Sequence, residues 1–281
     1  MSSIARFVMQ GPRQAALIAV VFAALPLAYW VSAAVVALVF LQRGFNQGFN
    51  ILLLALLPGI AWYAAQQETT VIMVILGCAL MAVILRLTVS LPNALTASLV
   101  PGILTVLLLP SLSPKWFDML QQGADEYLII LVAENPQASL FEPWLLPMLL
   151  GGIAALLQLF AVGALLMARS WQSKLYNPGG YSEEFQSLRM PYWYVLLAAV
   201  FFVIGASDPE WVGIVPVLMV PLFIMGISLI HYVVKQRQLS SQWLMFFYIS
   251  FLFFLPYMYA LLILVALMDV VFNFRKYLTS P

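Results

Sequence analysis

Apolar residues fill the chain in long, almost unbroken runs. A helix that crosses a bilayer needs about 17–25 mostly apolar residues. Six runs meet that length: 47–66, 69–86, 92–110, 143–168, 191–207 and 211–234. Two longer runs flank them. Residues 14–42 hold Pro26 near the middle, and residues 241–273 hold Pro256 near the middle. As one helix, either run would be about 42–50 Å long, against a hydrocarbon core of about 30 Å. Each is therefore a kinked, tilted helix or a tight hairpin of two short helices. Polar positions gather in two segments outside these runs, 111–142 and 169–190.

Charge decides between kink and hairpin. Lys and Arg concentrate in cytoplasmic loops, and this bias sets orientation. With both long runs read as hairpins and the N-terminus inside, Arg6, Arg13, Arg43, Arg86, Arg169, Lys174, Arg189, Lys235, Arg237, Arg275 and Lys276 all face the cytoplasm. Of the 12 basic residues only Lys115 then lies outside. A single helix over 14–42 would reverse every loop that follows. The reading is an all-α, polytopic transmembrane bundle of about 8–10 spans, with both termini cytoplasmic. It forms one membrane domain, 1–281. Arg6 and Arg13 ahead of an apolar run resemble a signal sequence, but no small-x-small cleavage site followed by a soluble domain is present and further spans follow at once, so the run is expected to stay as the first helix. Residues 4–9 are expected along the interface.

Composition agrees. The chain is 64% apolar and 8% charged, against roughly 45–50% and about 25% in soluble domains. A net charge of +1 argues against a nucleic-acid binder that works by bulk positive charge. One cysteine, Cys78, and one histidine, His231, leave no metal-ligand cluster, and no cofactor is expected. Cys78 reads as a small apolar filler and His231 as an interfacial side chain, packed or wet rather than catalytic. No Ser–His–Asp set and no paired carboxylates within a span emerge, so no catalytic residues are expected and the chain is not read as an enzyme. Seven tryptophans, from Trp30 to Trp243, fall near span ends, as an interfacial belt places them.

Segment 111–142 is acidic and falls on the outer side. Its Trp116, Phe117, Leu120, Tyr127, Leu128 and Leu131 recur at helical spacing, which predicts an amphipathic outer-face helix or helix pair. It either caps the bundle or forms a lid over an outward-facing cavity. Segment 169–190 carries Asn177-Pro178-Gly179-Gly180, a strong turn signal. Ser182 is then expected to cap a short helix with Glu183 and Glu184 in its first turn. Phe185 and Leu188 would be its apolar side. This segment is either a connector or a partner-docking element.

Ala15, Ala19 and Ala23 share one helix face, the small-xxx-small pattern that lets helices approach closely. They pack within the chain or against a partner. Among polar groups near the membrane, Arg86 is expected to snorkel to the inner interface. Asp269 is the one carboxylate inside a predicted span, with Asn273 on its helix face and Arg275 nearby. A structural pair of Asp269 with Arg275 or with Arg86 is expected.

The opening half, with its Ala-rich helix, the turn ALPLAYW, a second apolar helix and LQRGFNQG, resembles the substrate-binding components of energy-coupling-factor vitamin transporters over 14–110. The motifs YNPGGYSEEFQSLR and ALMDVVFNFRK resemble the YybS-like family of bacterial membrane proteins, over most of the chain. The resemblance implies that Ala15, Ala19 and Ala23 face a transmembrane coupling subunit, that partner ATPases supply energy, and that a small organic molecule is imported. The extra helices of 143–281 depart from the transporter components, which have about six. The expected function is thus a substrate-binding subunit whose ligand enters between the first helices and under 111–142. The alternative is a non-transporting scaffold that docks a partner through 169–190.

Overall fold

The computed structural model describes residues 2–278, and among them there is no strand. Helix α1 (Ser2–Gln10) leads through Gly11 into α2 (Pro12–Ala24), where Pro12 stands in the first turn. Proline is tolerated there because its missing N–H has no helical partner in any case. A four-residue turn around Pro26 joins α2 to α3 (Tyr29–Arg43). Run 14–42 is therefore the hairpin that the charge pattern asks for. Its arms are only about 20 Å long, short of the hydrocarbon core. Its apolar tip is bare: Leu27 is 82% exposed and holds a left-handed φ of 61°.

Gly44, at φ 92°, reverses the chain into α4 (Phe45–Gln66), a conformation that glycine adopts at no steric cost. Helix α5 (Thr70–Thr88) follows. The run 92–110, expected as one span, lies within one apolar helical stretch, Leu91–Leu112, in which α6 (Leu91–Ala97) and α7 (Leu99–Leu112) meet at a one-residue turn at Ser98. Helix α8 (Pro114–Glu134) and a 3-10 helix (Pro136–Phe141) occupy the segment expected as a helix or helix pair. Only Ala124 of α8 is buried; the helix packs on α7 and α9, and its Trp116 lines a small void with Glu68 and Thr69.

Helix α9 (Glu142–Tyr176) is the longest, about 52 Å at 1.5 Å per residue. It continues through Arg169, Trp171 and Ser173, where a loop was expected. The chain then turns at Asn177–Gly179 into α10 (Gly180–Gln186). Gly179, not Ser182, occupies the N-cap, and Ser182 sits inside the short helix, bonded to Gln186. Helices α11 (Tyr192–Ser207), α12 (Pro209–Val212) and α13 (Ile214–Gln236) follow.

Run 241–273 breaks at Phe254 into α14 (Gln242–Phe253) and α15 (Leu255–Phe272), before α16 (Phe274–Leu278). Neighbours on α13 give the direction of each arm. Phe223, Gly226 and Ser228 meet Tyr259, Leu262 and Arg275 in turn, so α15 runs parallel to α13. His231 meets Tyr248 and Phe223 meets Phe251, so α14 runs against α13. The second long run thus also doubles back. A Cβ at Gly226 would lie 2.4 Å from the Leu262 carbonyl oxygen, so glycine sets how closely α13 and α15 approach.

Helix α3 is the centre of the bundle. Val31 to Leu41 are all buried, against α2, α4, α5 and α9. A helix apolar on every side is a core helix. Among the described residues, six helical stretches are long and apolar enough to cross a membrane: Phe45–Gln66, Thr70–Thr88, Leu91–Leu112, Pro136–Tyr176, Pro209–Gln236 and Leu255–Phe272. Four shorter apolar helices, α2, α3, α11 and α14, accompany them. The protein is an all-α membrane bundle. Helix ends gather at two poles. One, the basic end, holds Arg43, Arg86, Arg169, Arg189 and Arg275, which bond to one another's segments. At the other, the acidic end, Glu68, Thr69, Ser113 and Trp116 meet.

Candidate functional site

The basic end assembles most of the residues that the sequence singles out, and it does so through helix ends. Arg86, in the last turn of α5, donates from one guanidinium nitrogen to the carbonyls of Phe40 (3.1 Å) and Leu41 (2.6 Å). Those carbonyls end α3, where a cation also meets the negative pole of the helix. Gln172 of α9 donates to the same Leu41 carbonyl and to Gln42. Arg169 Nε lies 2.7 Å from Glu184 Oε2, which ties α9 to α10. Arg86, Arg169, Gln172, Asn177 and Glu184 line a polar cleft of about 280 Å³.

The Asn177–Gly180 turn is held from within. Ser173 donates to the Asn177 carbonyl and accepts from the Tyr181 amide. Gly179 has φ 93°, which requires glycine. Phe185 is buried; it stacks on Tyr181 and meets the edge of His231. Burial, and then the charge of Glu184, push the Tyr181 hydroxyl above its ordinary pKa. The segment is therefore seated on α9 and α13. His231 is packed as expected, bonded to the Tyr248 hydroxyl at 2.8 Å.

Beside it lies a buried charged knot. Asp269 is 0% exposed, and its Oδ2 lies 3.3 Å from Arg275 Nε. The pair is held by charge attraction and a side-chain hydrogen bond. Arg275 also donates to the Gln186 carbonyl and to Ser228 Oγ. Burial lowers its pKa, and the adjacent Asp269 opposes that shift. Arg189 donates to the carbonyls of Asp269 and Val270, closing the end of α15. Asn273 contributes its left-handed backbone, whose N–H caps the Asp269 carbonyl. Of the two pairings expected for Asp269, the structure forms the one with Arg275. Arg86 belongs to the α3 terminus.

Ala15, Ala19 and Ala23 are at most 1% exposed. Helix α2 packs on α3 and α4, so the alanine face is filled by the chain itself.

Sequence reasoning missed a second polar region. Thr69, Ser98, Thr105, Ser113 and Gln158 are all buried, and all lie between α5, α7 and α9. Ser98, Gly102, Thr105, Leu109 and Ser113 follow one another at three- and four-residue steps, along one face of α7. Gln158 Nε2 donates to Ser98 Oγ at 2.6 Å, at the break between α6 and α7. The available signal was Gln158 itself, the one polar side chain within 143–168.

A third feature is apolar. Near the acidic ends of α9, α11 and α13, Phe141, Trp144, Met148, Phe202, Ala206 and Val215 line a pocket of about 410 Å³. It lies in the C-terminal half, away from the expected place between the first helices. Among the described residues no group of histidine, cysteine, aspartate and glutamate could hold a metal ion. No family model matches the sequence, and no curated protein and no solved structure matches it.

Proposed function

We propose that the chain is a substrate-binding subunit of a bacterial inner membrane that holds a small, largely apolar organic molecule in the pocket between α9, α11 and α13. The pocket carries this reading. Its volume falls in the roughly 300–1,000 Å³ range of small-molecule sites, and its wall is aromatic and aliphatic, as such sites are. Its mouth, near the acidic end, would face the outer leaflet if the basic end is cytoplasmic. Import would need a transmembrane coupling subunit and ATPases, because the sequence carries no phosphate-cradling motif. With the alanine face occupied, that subunit would rest on another lipid-facing surface.

The test is gentle purification followed by mass spectrometry of the co-purified small molecules. Wild type should carry one compound in near-stoichiometric amount, and Ala206→Trp, which fills the pocket, should lose it. The same bulk lipids in the same ratio from both proteins would refute the reading.

The scaffold reading is favoured by one observation, the polar cleft of Arg86, Arg169, Asn177 and Glu184 at the basic end. It predicts a protein partner that Glu184→Arg releases while the small molecule stays bound.

A further inference from the structure

The region between α5, α7 and α9 is the most polar place in the interior that no charge explains. Its hydrogen atoms can be followed one by one. The Ser98 hydroxyl donates to the Leu95 carbonyl at 2.6 Å, and the Thr105 hydroxyl donates to the Pro101 carbonyl at 2.8 Å. Ser98 Oγ must therefore accept, which fixes the Gln158 amide with its NH2 toward Ser98. Gln158 is 3% exposed, and its Oε1 has no hydrogen-bond partner. A buried, unmet amide oxygen costs about 1–3 kcal/mol unless something donates to it.

Space for a donor is present. Met73, Ser98, Thr105, Leu157 and Gln158 line a void of about 10 Å³. A site of about 10–15 Å³ holds one water-sized occupant. Toward the acidic end, Leu157 also lines a second void of about 100 Å³, with Glu68, Thr69, Ser113 and Trp116. Thr69 and Ser113 share a hydrogen bond of 3.2 Å at its wall. No lysine, arginine or histidine is among the residues lining either void. The inner void therefore offers lone pairs, and the outer one adds a carboxylate.

We propose that this seam binds a water-sized hydrogen-bond donor, water or an ammonium ion, seated on Gln158 Oε1 and admitted from the acidic end past Thr69 and Ser113. The site lies apart from the apolar pocket and does not depend on it.

Hydroxyl-radical footprinting of the full chain in lipid nanodiscs tests the proposal, because radicals born from a bound water mark the side chains beside it. Met73 lines the void and is itself only partly buried, while Met81 on the same helix is fully buried away from it, so the change on substitution and not the wild-type ratio alone carries the test. In wild type, Met73 should be oxidised several-fold faster than Met81. Gln158→Leu should bring Met73 down toward Met81, and Thr105→Val, a milder change, should lower it in part. Replacing sodium chloride with ammonium chloride separates the sources: Met73 oxidation falls if ammonium takes the seat, and stays if water holds it. Met73 oxidised no faster than Met81, or unchanged in both folded variants, would overturn the proposal.

Discussion

Two interior regions bury polar groups, and they do so in opposite ways. At the basic end, charges face charges and donors face helix-terminal carbonyls: Asp269 with Arg275, Arg86 with Phe40 and Leu41, Arg189 with Asp269 and Val270. These bonds join α5 to the end of α3, and α16 and the segment after α10 to the end of α15. In the seam between α5, α7 and α9 the groups are neutral, the hydroxyl protons are committed to backbone carbonyls, and one amide oxygen faces a void. At the basic end the Asp269 and Glu184 carboxylates each face an arginine, whereas the Gln158 amide oxygen faces a void.

Substitutions can break this contrast. The largest effect belongs to the knot. Arg275→Met leaves Asp269 as an uncompensated buried charge, and breaking such a pair costs about 3–5 kcal/mol. Unfolding in detergent should show that loss, and Asp269→Leu in the same chain should restore most of it. A neutral Arg275→Met would mean that the knot does not hold the helix ends. Next comes Ala19→Leu, which forces a larger side chain between α2 and its neighbours. Overpacking costs about 1–3 kcal/mol, and the thermal midpoint should drop. An unchanged midpoint would place the alanine face outside the packed core.

Arg86→Gln should cost less, about 1–2 kcal/mol, as charge-assisted bonds to the α3 carbonyls are lost from a partly solvated position. Hydrogen exchange should then rise at the α3–α4 junction and not at α15. The smallest effect is expected in the seam. Gln158→Leu trades one interhelical bond for apolar packing, and such bonds average about 0.6 kcal/mol in membranes. Stability should hardly change while Met73 protection does. A loss as large as that of Arg275→Met would turn the seam into a second structural knot.

The hairpins were legible because run length, a central proline and the sidedness of Arg and Lys all point the same way. The α9 extension was not. Residues 169–176 are polar enough to read as a loop, yet hold no glycine or proline to stop a helix. The break at Ser98 was hidden inside an apolar run, because a bilayer makes both sides of a helix apolar and erases the polarity signal. For the same reason polarity does not separate buried α3 from exposed α14. Size does: α3 carries Ala33, Ala34, Val35, Val36 and Ala37, and α14 carries Trp243, Met245, Phe246 and Phe247. Small residues let α3 be surrounded, and bulky ones leave α14 toward lipid. Of the site, Arg86, Asp269 and Arg275 stood out as charges. Thr105 and Ser113 did not, since lone hydroxyls are common in membrane helices and only their alignment on α7 distinguishes them.

The chain doubles back at Leu25–Ala28 and at Phe254, and the central claim built on this is our proposal that the basic end faces the cytoplasm and the acidic end the outside. Single cysteines test it directly, with the buried Cys78 left in place. Glu126→Cys in α8 should react with a membrane-impermeant maleimide on intact cells, and Ser182→Cys in α10 only after lysis. Labelling of Ser182→Cys on intact cells, with Glu126→Cys protected, would contradict the account.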